Sequence, residues 1–183
     1  ADANLVIVVG PRTPFNEAEV QALSTYIDGG GDMIIMVDPG VDSGLAPLLA
    51  KWGIEAGRQY VAEGDQRLTA RSPFLPVVAD LAAHAITDKL RPMGLFYLFA
   101  VPTYLNVPQQ PPAGWRITPL AKTSAQSWAE SDDSAIRNPG NAKFDEGTEQ
   151  KGPFNVAVVV EQSSGPTVPG APPAADDSAG KSR

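Results

Sequence analysis

His84 is the one histidine of this 183-residue chain, and it has Asp80 four residues before it and Asp88 four after. Imidazole and carboxylate at that spacing could form an acid–base pair. The other side chains with chemical potential stand in two turns, Gly10-Pro11-Arg12 and Asp38-Pro39-Gly40, each closing an apolar run. Brought together, they would offer a guanidinium, a carboxylate and backbone amides to a small polar ligand. The candidate ligand-binding set is therefore Gly10, Pro11, Arg12, Asp38, Gly40, Asp80 and His84. Plain turn chemistry competes with that reading, because Gly and Pro end strands and Asp38 can satisfy local amides. Pro11 has no N–H to donate, so its turn makes a poor phosphate cradle.

What the chain lacks narrows the chemistry further. It has no cysteine, which removes thiol nucleophiles, disulfides and cysteine metal sites. No G-x-S-x-G elbow presents a serine, so a hydrogen-bonded structural role for His84 outweighs a catalytic one. A single histidine rules out H-E-x-x-H and multi-histidine zinc sites. No Walker A lysine motif is present, and no cofactor is expected. The acidic pairs Asp132-Asp133, Asp145-Glu146 and Asp176-Asp177 lack calcium-loop spacing and read as solvated loop charge, so no metal site is expected. A formal charge of −7 argues against nucleic acid and against electrostatic docking on an anionic bilayer. No window holds the ~18 apolar residues of a membrane span. The chain opens on Ala1 rather than Met, as expected of a processed product or an excised piece, with any membrane anchor outside these residues.

Two apolar runs must position the turns: Leu5-Val6-Ile7-Val8-Val9 and Met33-Ile34-Ile35-Met36-Val37. Continuous hydrophobicity predicts strands covered on both faces, and a helical pattern lies between them, so the three elements read as a βαβ unit with both turns at one carboxyl edge. The intervening helix has a capping box in Asn16 and Glu19, a hydrophobic staple in Phe15 and Val20, and a buried stripe of Val20, Leu23 and Ile27. Gly29-Gly30-Gly31 ends it. A second helix is predicted from Ser43 or Gly44 to Gly53, with Leu45, Leu48, Leu49 and Trp52 buried and Pro47 in its first turn.

Later segments are less regular. Extended structure is expected over Ile54–Glu63, Leu95–Val101, Trp115–Leu120 and Phe154–Glu161. A short strand or turn is expected at Leu75–Val78, then loop or brief helix over Asp80–Leu90, and a long polar surface loop over Ser124–Gly152. Phe96, Tyr97, Phe99 and Tyr104 at strand spacing point to core, with a sugar or peptide groove as the alternative. Residues 3–161 are expected to form one domain. The Pro/Gly/Ala/Ser-rich stretch over 162–183 is expected to be a disordered tail.

A longer succession of residues resembles a known family. Gly10-Pro11, Phe15-Asn16-Glu17-Ala18-Glu19, Gly30-Gly31-Asp32 and Met36-Val37-Asp38-Pro39-Gly40 are followed by Leu48-Leu49-Ala50-Lys51-Trp52-Gly53-Ile54 and His84-Ala85-Ile86-Thr87. Thr118-Pro119-Leu120-Ala121-Lys122-Thr123-Ser124, Ser127-Trp128-Ala129-Glu130 and Lys151-Gly152-Pro153-Phe154 complete it. In order and spacing these resemble the extracytoplasmic domain of the gliding-motility-type auxiliary subunit of ABC transporters, over roughly Ala3 to Glu161. Many members have His-Pro-Ile where this chain has His84-Ala85-Ile86.

The resemblance implies an α/β fold, a mostly parallel sheet sandwiched by helices, flavodoxin-like or class I glutamine-amidotransferase-like. It implies a domain tethered outside the cytoplasmic membrane beside ABC permease and ATPase subunits, with a small polar or polymeric ligand as a further possible partner. Related domains in intraflagellar-transport proteins have a scaffolding role. In an amidotransferase-like fold, absence of the cysteine nucleophile points to a scaffold kept without its chemistry. The function expected is thus a non-catalytic accessory domain. The alternatives are a hydrolase or transferase on carbohydrate or amide substrates, using His84 with Asp80 or Asp38, and a carbohydrate-binding module.

Overall fold

The computed structural model describes residues 3–163. Its first unit is β1 (Leu5–Val9), α1 (Glu17–Asp28) and β2 (Asp32–Met36), with β1 and β2 paired in parallel. Asn16 and Glu19 close the capping box, each carboxyl or amide oxygen accepting the other residue's backbone N–H at 2.9–3.0 Å. Val20, Leu23 and Ile27 of α1 pack with Val6, Val8, Met33 and Ile35 on one side of the pair. The opposite side is not covered: Leu5, Ile7, Val9, Ile34 and Met36 are all exposed. The expectation of strands buried on both faces is corrected there.

Along the chain follow α2 (Ala46–Ala50), β3 (Glu55–Ala56), β4 (Tyr60–Ala62), β5 (Val77–Val78), β6 (Tyr97–Leu98), β7 (Leu105–Asn106), β8 (Trp115–Lys122), β9 (Trp128–Glu130), α3 (Asp133–Arg137) and β10 (Asn155–Gln162). β3 pairs with β7, β4 with β9, β5 with β6 and β8 with β10, all antiparallel. A mostly parallel sheet sandwiched by helices, flavodoxin-like or amidotransferase-like, is therefore not what this chain forms. Among the described residues, one parallel pair stands beside four small antiparallel sheets. The reason is connectivity. Parallel strands need a crossover of a dozen residues or more, usually a helix. After Ile54 the strands are two or three residues long except for β8 and β10, which pair with each other antiparallel, and the α-helix there among the described residues, α3, has only five residues.

The core ties the first unit to the last. Val8, Ile27, Leu45, Leu48, Leu49, Trp52 and Ile54 are buried, and Trp115 and Ile117 of β8 with Val158 and Val160 of β10 pack against them. Trp52 meets Trp115 edge to face at 5.7 Å. A second cluster joins Val61, Tyr104, Ala129 and Phe154, and a third Ala62, Phe74, Trp128 and Ala135.

Three further expectations change. The strand over Leu95–Val101 shrinks to β6, entered from Gly94 in a left-handed conformation, and Phe96 is 73% exposed rather than core. The surface loop over Ser124–Gly152 contains β9, whose three residues are all buried, and α3, capped by Asp132. The tail expected from residue 162 overlaps β10, which ends at Gln162; Ser163 donates its N–H to the Gly114 carbonyl at 2.9 Å, and residues 164–183 lie outside the described residues.

Candidate functional site

The two turns meet at the carboxyl end of β1 and β2, as the βαβ reading requires. The Gly10 N–H donates to the Met36 carbonyl at 3.0 Å, locking one turn onto the end of the other strand. Gly10 has φ +47°, and a Cβ there would lie 2.7 Å from Oδ2 of Asp38. Only glycine fits a left-handed position pressed against a carboxylate. Gly40, at φ +71°, donates its N–H to the Arg58 carbonyl at 2.8 Å, and a Cβ on it would approach the Tyr60 hydroxyl at 3.6 Å. Both glycine amides that a ligand would use are thus spent on backbone. Asp38 and Arg12 are exposed, with no ion pair among the described residues, and Pro11 is half-buried.

His84 belongs to a different constellation. The segment before it docks on β8, where Ala82 N–H donates to Leu120 O at 2.9 Å and Leu81 bridges to Ala121. From there the imidazole reaches β10: Nε2 lies 3.1 Å from Oε2 of Glu161. Nδ1 accepts the Ile86 N–H at 3.2 Å. A ring with its proton on Nε2 satisfies both contacts at once. Asp88 turns its carboxylate to the His84 backbone N–H at 3.2 Å, and it also meets Arg91 at 3.7 Å. Asp80 is exposed and makes no hydrogen bond or ion pair among the described residues. The structure joins Gly10 with Asp38. It pairs His84 with Glu161 in place of Asp80 or Asp38.

Three carboxylates that spacing did not single out are densely hydrogen-bonded, and two of them are buried. Glu63 is buried and takes the Ser124 hydroxyl at 2.6 Å, Asp65 N–H at 2.9 Å and Ser124 N–H at 3.2 Å. Glu130 is buried at the end of β9, accepting from Asp132 N–H at 2.9 Å and Trp128 Nε1 at 3.2 Å. Glu149 accepts from Ser131 N–H at 2.8 Å, Ser131 Oγ at 3.0 Å and Asp145 N–H at 3.0 Å. Burial drives the Glu130 carboxyl up, and the neighbouring Glu149 charge pushes the same way. Burial opposes ionisation of Glu149 too, but the donors from Asp145 and Ser131 outweigh it and hold that carboxyl low. Through Ser131 and Asp145, Glu149 fastens the 145–149 turn to the end of β9. The available signal was Trp128-Ala129-Glu130 itself, two apolar residues followed by an acid. Among the described residues, no group of three or more His, Asp or Glu side chains could hold a metal ion.

With this geometry in view, the comparisons with known proteins decide the family. A family model described as ABC-type uncharacterized transport system matches residues 1–183. The chain belongs to that family. The family takes its description from an ABC-type transport system. Among solved structures, the mmIFT52 N-terminal domain is similar, with 23% identity and a TM-score of 0.54. The match covers 68% of this chain and 58% of that one, so the chain spans little more than half of that domain, and the likeness concerns the fold alone. No curated protein matches.

Proposed function

We propose that this family member is a non-catalytic accessory domain that works by protein–protein contact, outside the cytoplasmic membrane, beside the permease and ATPase of its transport system. The observation that carries the reading is the engagement of His84. Both ring nitrogens are occupied, one by Glu161 and one by the Ile86 N–H, which leaves no free lone pair for a substrate proton. The turns at the strand ends support the same reading, since the amides of Gly10 and Gly40 already donate to Met36 and Arg58.

Large apolar side chains stand where an accessory domain would meet a partner. Ile86, Leu90, Met93, Leu95, Phe96 and Leu98 are all exposed within one segment, and the outer side of β1 and β2 is aliphatic. The extracytoplasmic placement rests on the family resemblance. A cysteine introduced at exposed Arg12 of the protein in its host tests it: labelling of intact cells by a membrane-impermeant maleimide is expected. Labelling only after lysis would place the domain on the other side.

A further inference from the structure

We propose that the outer face of the β1–β2 pair is the docking surface for a single amphipathic helix of a partner protein, an inference that rests on the protein-contact reading above. In the parallel register Leu5 stands beside Asp32, Ile7 beside Ile34 and Val9 beside Met36, and these six side chains share one face. Its five aliphatic members are 43–67% exposed. Together they present roughly 500 Å² of apolar surface, the size at which a patch on a soluble domain marks a contact site. Parallel strands are ordinarily covered on both sides, and α1 covers only one.

The shape of the face selects its occupant. Five residues of strand span about 16 Å and two strands with their side chains about 10 Å, the footprint of one helix of three turns. A second copy of the chain fits less well, because a stable dimer needs about 800 Å² from each partner. Residues 164–183 cannot supply an apolar stripe, since Val168 is their only large aliphatic residue. A bilayer is disfavoured by the chain's charge of −7 and by Asp32 within the face itself.

Charge completes the description. Asp32 lies at the amino end of the strands and makes no ion pair among the described residues. A helix running antiparallel to the strands would bring its C-terminal turn there, where Lys or Arg suits both Asp32 and the helix dipole. The partner element is thus a helix of about three turns, with aliphatic residues at i, i+3 or i+4, and i+7, and a basic last turn.

A photo-crosslinking residue at position 7 or 34 of the full-length protein, in membranes holding its ABC assembly, tests this. Both positions are expected to capture one segment of another protein, at sites three or four residues apart, with Lys or Arg beside the residue nearest Asp32. Ile7→Asp with Ile34→Asp should weaken association with the assembly at least about tenfold, and Asp32→Lys about fivefold, because buried apolar and charge contacts are lost. Circular dichroism should show these variants folded, since the sites are exposed. Crosslinks to a second copy, to lipid, to the protein's own chain or to nothing would overturn the proposal. If the assembly binds the double variant as tightly as the unaltered protein, this face is wrong while the contact reading survives. If the unaltered protein does not associate at all, that reading fails as well.

Discussion

Separating His84 from Glu161 should lower stability in a measurable way. Nε2 and Oε2 are 3.1 Å apart, the imidazole is 13% exposed and the carboxylate 40%. A hydrogen bond to a charged group contributes roughly 1.5–3 kcal/mol when shielded, and partial exposure of Glu161 reduces that to about 1 kcal/mol. His84→Ala also removes the packing of a mostly buried ring, for a total loss of about 2 kcal/mol. A domain of this size moves about 2–4 °C in Tm per kcal/mol. His84→Ala should therefore unfold about 4–8 °C lower and Glu161→Gln about 2–4 °C lower, by differential scanning calorimetry. Urea titrations of the two single variants and the double variant form a thermodynamic cycle, with an expected coupling of about 1 kcal/mol. A coupling near zero, or single variants as stable as the unaltered protein, would refute the role given to this pair.

Two further outcomes follow from the same geometry. Gly10→Ala places a Cβ at φ +47° and 2.7 Å from Asp38 Oδ2; the left-handed backbone alone costs about 1–2 kcal/mol, and adding Asp38→Ala should recover only the contact share in urea unfolding. Full recovery would mean that the backbone conformation carries no cost. Glu130→Gln removes the titrating carboxyl that burial pushes up. A carboxyl raised in the folded state adds stability that is complete below its ordinary value and fades as pH climbs through the folded value. The stability difference between the unaltered protein and Glu130→Gln should thus shrink or reverse as pH climbs above the ordinary glutamate range, and a difference that does not change with pH would contradict the assignment.

Local signals were legible and long-range ones were not. The Asn16–Glu19 box, the Gly29–Gly31 stop and the two strands around α1 all depend on neighbours within a few residues, and all are present. The partner of His84 was not legible. Spacing along the chain points to Asp80 and Asp88, whereas the structure brings Glu161 across from β10 through the pairing of β8 with β10. The carboxylate pair of Glu130 and Glu149 escaped for the same reason, being assembled by the docking of a turn on β9.

Hydrophobicity misled in two places. The run Leu5–Val9 alternates between core and surface although its residues do not alternate in type. Leu95, Phe96 and Leu98 are apolar yet exposed, because the 3₁₀ turn over Arg91–Met93 and Gly94 carry the segment outward before β6 forms. Both surplus apolar surfaces lie where contact with another protein is proposed, which is where a solvent-facing aliphatic residue has a physical reason to persist. β8 and β10 were legible as the runs Trp115–Leu120 and Phe154–Glu161, but the two- and three-residue strands carry little periodicity of their own and the antiparallel pairing joins distant segments.

Binding of the purified protein to its isolated permease–ATPase complex tests the central claim most directly. Equilibrium titration with the unaltered protein, with a His84→Gln, Glu161→Gln variant and with an Ile7→Asp, Ile34→Asp variant separates chemistry from contact. The imidazole variant should bind as the unaltered protein does, and the aliphatic-face variant at least about tenfold more weakly. Loss of binding through the imidazole pair, with the aliphatic face dispensable, would contradict the account.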